Sequence, residues 1–330
     1  MSNSHTILVT GASGRIGRVV IKNLIKKKEH VRALVRNKES TNSLKESRDS
    51  LGEEVEIAYG DITNKRSLID AVSNVEKIIH LAGSVDFSNQ QKMMKINADG
   101  TKNLLEICPN SIKRFIHCSS IAVYGKKLDK EEVDEKRKPN PDSIYAKSKM
   151  KAEEYCIEHS KRLPITILRL GVVYGPGFDA GYREVFELLR CGRMRIIGDG
   201  NNVIPFVHVE DVANAILLAL TSNVPSGSFY NIVGEKKTQA EVLSLASKYL
   251  DVKPPQKRIH PLLAKAACLF SPTKSEYIDI LSSNRSFSST KAWQELGWRP
   301  RISLEDGIKN ISEQYKSRQV KGELNESWEN

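Results

Sequence analysis

The chain has 330 residues, of which 39% are hydrophobic and 28% charged, and its mean hydropathy is −0.40. A chain of this length can bury a large core without disulfides or a structural metal. Its five cysteines are scattered, with no C-x-x-C pair, which argues against a disulfide framework or a metal site. The net charge of +11 accompanies no nucleic-acid-binding motif, so we expect no nucleic-acid partner.

The first half alternates short, β-branched apolar runs with helical patterns, which is typical of a parallel sheet covered on both faces. The predicted strands are 6–10, 30–35, 55–58, 77–81, 114–117 and 165–170. The predicted helices are 15–28, 40–48, 65–72, 92–107 and 143–159. This alternation predicts the α/β class with a doubly wound parallel sheet, the Rossmann fold.

The second half is predicted to be mainly helical. Strands are expected at 203–209 and 229–233, and helices at 182–190, 210–220, 240–250, 262–270, 275–281, 290–296 and 304–315. We therefore predict a dinucleotide-binding domain over residues 1–170, to which 203–233 returns, and a smaller substrate-binding domain over residues 171–330. No apolar run reaches the roughly 18 to 20 residues of a membrane span. Residues 1–10 do not resemble a secretory signal, so we expect a cytoplasmic protein.

A glycine-rich turn follows the first predicted strand and opens the first predicted helix. Such a turn allows close backbone approach to a pyrophosphate, and the helix N-terminus supplies free N–H groups. It predicts dinucleotide contacts from Gly11, Ser13, Gly14, Arg15, Ile16 and Gly17.

The end of the second strand bears on which dinucleotide is bound. An acidic residue there would hold the ribose of NAD, whereas an arginine favours the 2′-phosphate of NADP. The position holds Arg36, with Lys38 and Arg32 as possible helpers, so the sequence favours NADP over NAD. Asp61 and Ile62 follow the third predicted strand and are placed to meet the adenine. At the end of the fourth predicted strand, three residues are placed to flank the cofactor: Leu81, Ala82 and Gly83.

Tyr145 and Lys149 are four residues apart and therefore share one face of a predicted helix. An ammonium beside a phenol favours the phenolate, so we expect a lowered pKa for Tyr145 and a role as acid or base. Upstream, the serines that follow Cys118 end a strand, where a hydroxyl could bind a substrate oxygen.

The chain resembles the extended short-chain dehydrogenase/reductase superfamily, which includes nucleotide-sugar epimerases and dehydratases and dihydroflavonol-type reductases. The matching stretches run through nearly the whole chain, in the family's order: TGASGRIG (10–17), YGDIT (59–63), HLAG (80–83), NADGTKNLLE (97–106), SSIAVYG (119–125), YAKSK (145–149), RLGVVYGPG (169–177), GDGNNVIPFVHVEDVANA (198–215) and KAWQELGWRP (291–300). The resemblance implies that Ser120, rather than Ser119, is catalytic, that Tyr145 exchanges the proton, and that Lys149 binds the ribose and activates the tyrosine. It also implies hydride transfer between nicotinamide and a carbon bearing a hydroxyl or keto group, and a homodimer formed through helices 92–107 and 143–159.

Two positions depart from the family's sugar-nucleotide enzymes. An asparagine is usual where this chain has Val172, in an R-x-F-N pattern that reads Arg169-Leu170-Gly171-Val172 here, and an arginine facing the substrate diphosphate is common where it has Ile204-Pro205. Arg183, Arg193 or Arg195 could compensate. The departures favour a reductase or dehydrogenase that acts on a moderately apolar small molecule. The alternatives are a nucleotide-sugar epimerase or dehydratase with tightly bound NAD, and a non-catalytic binding protein.

Several other polar residues are interpreted as structural. His117 and His208 alternate with apolar neighbours in predicted strands and are expected to be packed rather than to bind a ligand. Asp211 begins a predicted helix, where an acidic residue is favourable. Trp298 is expected to pack the last helices.

Overall fold

The computed structural model describes residues 6–41, 44, 55–126, 128, 131–267 and 271–320. Within these ranges the strands are β1 (Thr6–Thr10), β2 (His30–Val35), β3 (Val55–Tyr59), β4 (Val75–His80), β5 (Arg114–Ser120), β6 (Ile165–Leu170), β7 (Val172–Tyr174), β8 (Ile196–Ile197), β9 (Val203–Ile204), β10 (Phe206–His208), β11 (Ser228–Ile232), β12 (Lys237–Thr238) and β13 (Arg258–Ile259).

The helices with described bounds are α1 (Arg15–Lys26), α2 (Gln90–Met94 and Gly100–Ile107, joined by the π-helical turn Lys95–Asp99), α3 (Ile144–His159), α4 (Asp179–Arg190), α5 (Val209–Thr221), α6 (Gln239–Leu250), α7 (Pro261–Ala266), α8 (Pro272–Ser282), α9 (Thr290–Leu296) and α10 (Leu304–Val320). Residues 38–41 and 44 are also helical, and the rest of the helix predicted at 40–48 lies outside the described residues.

Seven strands form one sheet in the order β11-β6-β5-β4-β1-β2-β3, and every pairing in it is parallel. The strand order reverses between β1 and β4. In doubly wound sheets a crevice opens at the carboxyl ends of the strands on either side of such a reversal. The predicted α/β fold is therefore confirmed, and its geometry places the ends of β1, β4 and β5 around one crevice.

Alternate side chains of the central strand enter opposite layers of the core. Ile7 and Val9 pack with α1 and α5 on one face, whereas Leu8 packs with α2 on the other. Burial on both faces explains why the strand reads as a continuous apolar run. A further apolar cluster joins the later helices through Phe186, Leu243 and Ile308, and forms a mainly helical region.

Two predicted elements differ in the structure. The helix predicted at 65–72 is a single 3-10 turn, Lys65–Leu68, because the Ser67 hydroxyl bonds locally: it accepts from the Asp61 N–H and donates to the Asn64 carbonyl, at 2.9 and 2.7 Å. The strand predicted at 203–209 is divided at Pro205, which has no N–H for a sheet. As a result β9 pairs with β12 and β10 pairs with β7.

The helix predicted at 262–270 is observed as α7, and residues 268–270 lie outside the described part of the chain. The strand predicted at 229–233 is β11, which extends the main sheet beside β6. The domain boundary at residue 170 stays a prediction. No described helix is long and apolar enough to cross a membrane.

Candidate active site

The glycine-rich turn lies at the carboxyl end of β1, and its shape requires glycine at two positions. Gly11 has φ +65°, and a Cβ on it would lie 2.7 Å from the Ala82 nitrogen. A Cβ on Gly17 would lie 2.3 Å from the Gly11 carbonyl oxygen. The turn is closed by a hydrogen bond from the Gly14 N–H to that same carbonyl, at 2.9 Å. It therefore contacts the residues that follow β4 and leaves the start of α1 open.

The exposed start of α1 fits a phosphate group. Gly14 and Arg15 are exposed, Ser13 is half-buried, and Ile16 packs against the core beneath them. The Arg15 guanidinium lies over the Phe178 ring, 5.4 Å from its centroid. Phe178 was not predicted for this site. It follows the Gly175-Pro176-Gly177 loop, and only the fold brings that loop to α1.

At the end of β2, Arg36 is exposed and lies close enough to Asp61 to stabilise its carboxylate. Burial raises the pKa of Asp61, but hydrogen bonds from the Thr63 N–H and hydroxyl, together with Arg36, lower it more. Lys38 is also exposed, whereas Arg32 ion-pairs with Glu56 and donates to the Ala71 carbonyl. Arg32 is therefore not the helper that the sequence suggested.

Some of the residues that were predicted to meet the adenine or to flank the cofactor do not present their side chains to the crevice. The Ile62 side chain is buried and would be 2.9 Å from a Cβ on Gly100, so it packs beneath α2. Leu81 and Ala82 are half-buried, and Gly83 is exposed. A Cβ on Gly83 would lie 3.3 Å from the Lys149 Nζ, which places the end of β4 directly beside that lysine.

Tyr145 and Lys149 project from the first two turns of α3. The helix starts there because the Ser143 hydroxyl accepts from the Ala146 N–H, at 3.1 Å. The Ser120 side chain, at the end of β5, lies close enough to the Tyr145 phenol to lower its pKa as a hydrogen-bond donor. Lys149 donates from Nζ to the Cys118 carbonyl on the same strand, at 2.9 Å. The structure thus brings Ser120, Tyr145 and Lys149 together beside the glycine-rich turn.

The pKa of Tyr145 differs from the sequence expectation. Burial raises this pKa, and the hydrogen bond from Ser120 only partly opposes the increase. Burial also lowers the pKa of Lys149, whose ammonium donates to a backbone carbonyl. The expected lowering of the tyrosine pKa was therefore wrong for the chain by itself, because burial outweighs the effect of Ser120 and the Lys149 ammonium donates to the Cys118 carbonyl instead. A neutral phenol is suited to donating a proton.

Asn97 is a site residue that our sequence reasoning did not assign. It lies on the π-helical turn of α2, a type of turn that is frequent at functional sites. Its Oδ1 accepts from the Ser84 N–H at 2.7 Å, and its Nδ2 donates to the Ser84 carbonyl and the Ser148 hydroxyl, both at 2.9 Å. Asn97 therefore ties the segment after β4 to α3. The NADGT stretch was the available signal.

The segment after β4 also carries Phe87, whose ring meets that of Tyr145 edge-on with centroids 6.1 Å apart. The wall beside the tyrosine is therefore apolar. Sequence patterns gave no reason to place these two rings together.

The histidines of the region are packed, as expected from their positions in strands. His117 is buried and stacks on His80, with ring centroids 5.5 Å apart. His80 in turn bonds to the Thr10 and Thr101 hydroxyls, at 2.7 and 2.9 Å. His208 is buried, and its Nδ1 accepts from the Glu210 N–H at the start of α5. Among the described residues, no three His, Cys, Asp or Glu side chains are grouped as metal ligands would be.

The chain has an apolar side chain at each of the two departures from the sugar-nucleotide pattern. Val172 is half-buried on β7, and its N–H donates to the Pro205 carbonyl at 2.8 Å. Ile204 is buried and faces the core. Of the basic residues considered as substitutes, Arg183 pairs with Glu187, while Arg193 and Arg195 are exposed.

The chain matches the model of the NAD dependent epimerase/dehydratase family over residues 7–233. It is 30% identical over 322 residues to a putative UDP-glucose 4-epimerase of Methanocaldococcus jannaschii, covering 92% of this chain and 96% of that protein. It is 28% identical over 319 residues to sterol demethylase protein B of Methylococcus capsulatus, covering 89% of this chain and 94% of that protein.

Among solved structures, the chain is similar to UDP-glucuronic acid 4-epimerase from Bacillus cereus in complex with NAD. The TM-score is 0.76 at 25% sequence identity, and the match covers 94% of this chain and 99% of that chain.

Proposed function

Because the chain belongs to the NAD-dependent epimerase/dehydratase family, we propose that it is an NAD(P)-dependent oxidoreductase of the extended short-chain dehydrogenase type. It acts at a carbonyl or secondary alcohol of a moderately apolar substrate. The observation that carries the proposal is the meeting of Tyr145, Ser120 and Lys149 beside the glycine-rich turn.

The residues of the crevice fit a dinucleotide. The open start of α1, between Gly11 and Gly17, would hold the pyrophosphate, and Asp61 would meet the adenine end. Arg36 offers an exposed guanidinium, which supports a preference for NADP over NAD. When bound, the dinucleotide supplies or accepts a hydride at the substrate carbon.

The chain's own residues handle the proton. In the reductive direction the Tyr145 phenol donates its proton to the carbonyl oxygen, and the raised pKa of this phenol keeps it protonated for that step. The Ser120 hydroxyl, which lies beside the Tyr145 phenol, orients the same substrate oxygen. The Lys149 ammonium then stabilises the phenolate that remains.

Three features support an apolar substrate. Phe87 lies against Tyr145, and the positions of Val172 and Ile204 offer no amide or cation to a diphosphate. The relative named sterol demethylase protein B fits this substrate class.

The first prediction is that Tyr145→Phe lowers the turnover of NADPH with an added ketone or aldehyde by about 10²- to 10⁴-fold, the usual contribution of a general acid. The dissociation constant of NADPH should be unchanged, because only the hydroxyl is removed. Stopped-flow absorbance and cofactor fluorescence measure the two quantities.

Tyr155→Phe is the matched control, since Tyr155 lies further along the same helix and packs against Lys151. It should leave turnover unchanged. Full turnover in the Tyr145→Phe variant would exclude the proposed mechanism.

A second candidate is a nucleotide-sugar epimerase or dehydratase with tightly bound NAD. The putative UDP-glucose 4-epimerase and the NAD-bound UDP-glucuronic acid 4-epimerase favour it. Such an enzyme should purify with NAD and show no net cofactor turnover. Thermal stabilisation by UDP- or dTDP-sugars, and not by apolar ketones with NADPH, would select this candidate over the first.

A further inference from the structure

A buried carboxylate lies one turn beyond the lysine on α3. Glu153 follows Lys149 by four residues, as Lys149 follows Tyr145, so the three share one helix face. Its relative exposure is 2%, which is unusual for an acidic residue without a structural or catalytic reason.

Two residues fix this carboxylate. The Ser119 hydroxyl donates to its Oε1 at 2.6 Å. Arg169 on β6 donates from Nε to Oε1 at 3.0 Å and from Nη2 to Oε2 at 2.6 Å, and it is 3% exposed. The guanidinium is itself held, because its Nη1 donates to the Tyr124 hydroxyl at 2.8 Å.

The anchor residue Ser119 lies between the two strand residues that hold the acid/base pair. The Cys118 carbonyl accepts from Lys149, and the Ser120 side chain lies beside the Tyr145 phenol and acts on its pKa. Glu153 therefore bonds to the middle of a three-residue segment whose flanking residues carry the proposed chemistry.

Of the acidic groups that act on Lys149, Glu153 is the one suited to be its counterion. The other acidic groups that act on the lysine are the thiols of Cys118 and Cys156, and burial raises the pKa of both, for Cys118 to about 12. His80 and His117 face the lysine from β4 and β5, and burial lowers their pKa values, so both are neutral near pH 7. Within the described residues, Glu153 is the one carboxylate acting on this ammonium.

We propose that Glu153 is a positioning residue for the Tyr145–Lys149 pair: it is the buried anion that keeps Lys149 an ammonium, and Ser119 and Arg169 hold its carboxylate in place. This inference rests on the proposed function of Tyr145 and Lys149. Burial opposes the charge on Lys149, and Glu153 favours it.

The test is an NMR titration of the Lys149 side chain in the full chain labelled with ¹³C-lysine. The Cε signal of Lys149 is identified as the signal that is lost in Lys149→Arg. Glu153→Gln keeps an oxygen that can accept from Ser119 and removes the charge. It should lower the pKa of Lys149 by about one unit or more, a tenfold change in its protonation equilibrium.

Glu153→Gln also leaves Arg169 buried without its partner, which destabilises a protein. The double variant Glu153→Gln/Arg169→Met removes both charges, so its thermal midpoint should recover. Loss of the Arg169 charge raises the pKa of Lys149 relative to Glu153→Gln, but this pKa should stay below that of the unsubstituted chain, because the anion is still missing. A purely structural role predicts instead that the pKa recovers together with the stability.

Glu154→Gln is the matched control, since Glu154 is the next residue and pairs with Lys151 on the exposed face, at 2.9 Å. It should leave the Lys149 titration unchanged. An unchanged pKa in Glu153→Gln, or a restored one in the double variant, overturns the inference. The titration needs no substrate, so it is independent of whether Tyr145→Phe abolishes turnover.

Discussion

Arg36 shows how the position of one side chain bears on cofactor choice. It is exposed where β2 ends, and it acts on the Asp61 carboxylate, which already accepts two hydrogen bonds from Thr63. The guanidinium is therefore available to a ligand. A planar, charged fork of this kind suits a phosphate monoester better than a pair of ribose hydroxyls.

We predict that Arg36→Asp weakens NADPH binding by about ten- to a hundredfold, which corresponds to the loss of one charge-assisted contact of roughly 1.5–3 kcal/mol. NADH binding should be unchanged or stronger. Fluorescence titration with both cofactors measures the ratio.

Arg66→Asp is the charge-matched control, because Arg66 is exposed on the 3-10 turn and changes the net charge by the same amount. If the two variants lose NADPH affinity equally, the effect is one of overall charge and the assignment of Arg36 fails.

At the scale of elements, the start of α5 fixes the C-terminal segment. The Asp211 carboxylate accepts from the backbone N–H groups of Arg301 and Ile302, at 2.9 and 3.2 Å. Its carbonyl accepts from the Trp298 indole at 2.9 Å. We interpreted Asp211 from sequence as a favourable charge at a helix start. In the structure it joins α5 to the chain that leads into α10.

Asp211→Ala should destabilise the fold by about 1–3 kcal/mol per backbone donor that it leaves unpaired. Cofactor affinity should not change, because the carboxylate and the carbonyl of Asp211 bond to the C-terminal segment. Urea unfolding reports the first quantity and cofactor titration the second.

Glu210→Ala provides the comparison, since Glu210 is its neighbour and bonds to the Asn23 side chain. A loss of stability no larger than that of Glu210→Ala would show that Asp211 is not a link between elements.

For the whole molecule, the buried histidines connect stability to pH. Burial and the nearby Lys149 lower the pKa of His80 from 6.5 to about 3. Between these values the unfolded chain binds a proton that the folded chain does not, so stability falls as the pH falls through this window. His117 acts in the same direction.

We predict that His80→Gln reduces the loss of unfolding free energy between pH 7.5 and pH 5, by up to about 1.4 kcal/mol per pH unit below 6.5. Glutamine keeps polar contacts with Thr10 and Thr101 but does not titrate. Urea midpoints at the two pH values measure the effect.

His30→Gln is the control, because His30 is exposed at the start of β2. An identical pH dependence for His80→Gln and the wild-type chain would contradict the prediction.

The proposed homodimer through α2 and α3 is a separate matter of assembly and stays a prediction.

The sequence by itself determined the doubly wound fold, the glycine-rich turn and the helix face that Tyr145 and Lys149 share. These features are local: apolar runs define strands, glycine allows the turn, and four-residue spacing defines a helix face. The helix predicted at 65–72 was wrong at this same local scale, because the Ser67 hydroxyl offered the backbone another hydrogen-bond partner.

Only the tertiary structure decided which groups surround Tyr145 and Lys149. Glu153 meets Arg169 across sixteen positions of sequence, Phe87 meets Tyr145, and Asn97 meets Ser148. The pKa of Tyr145 also depends on burial by several elements, which reversed the direction expected from its lysine neighbour. Contacts between distant segments, and the desolvation that they cause, are set by how the elements pack, and no spacing along the chain encodes them.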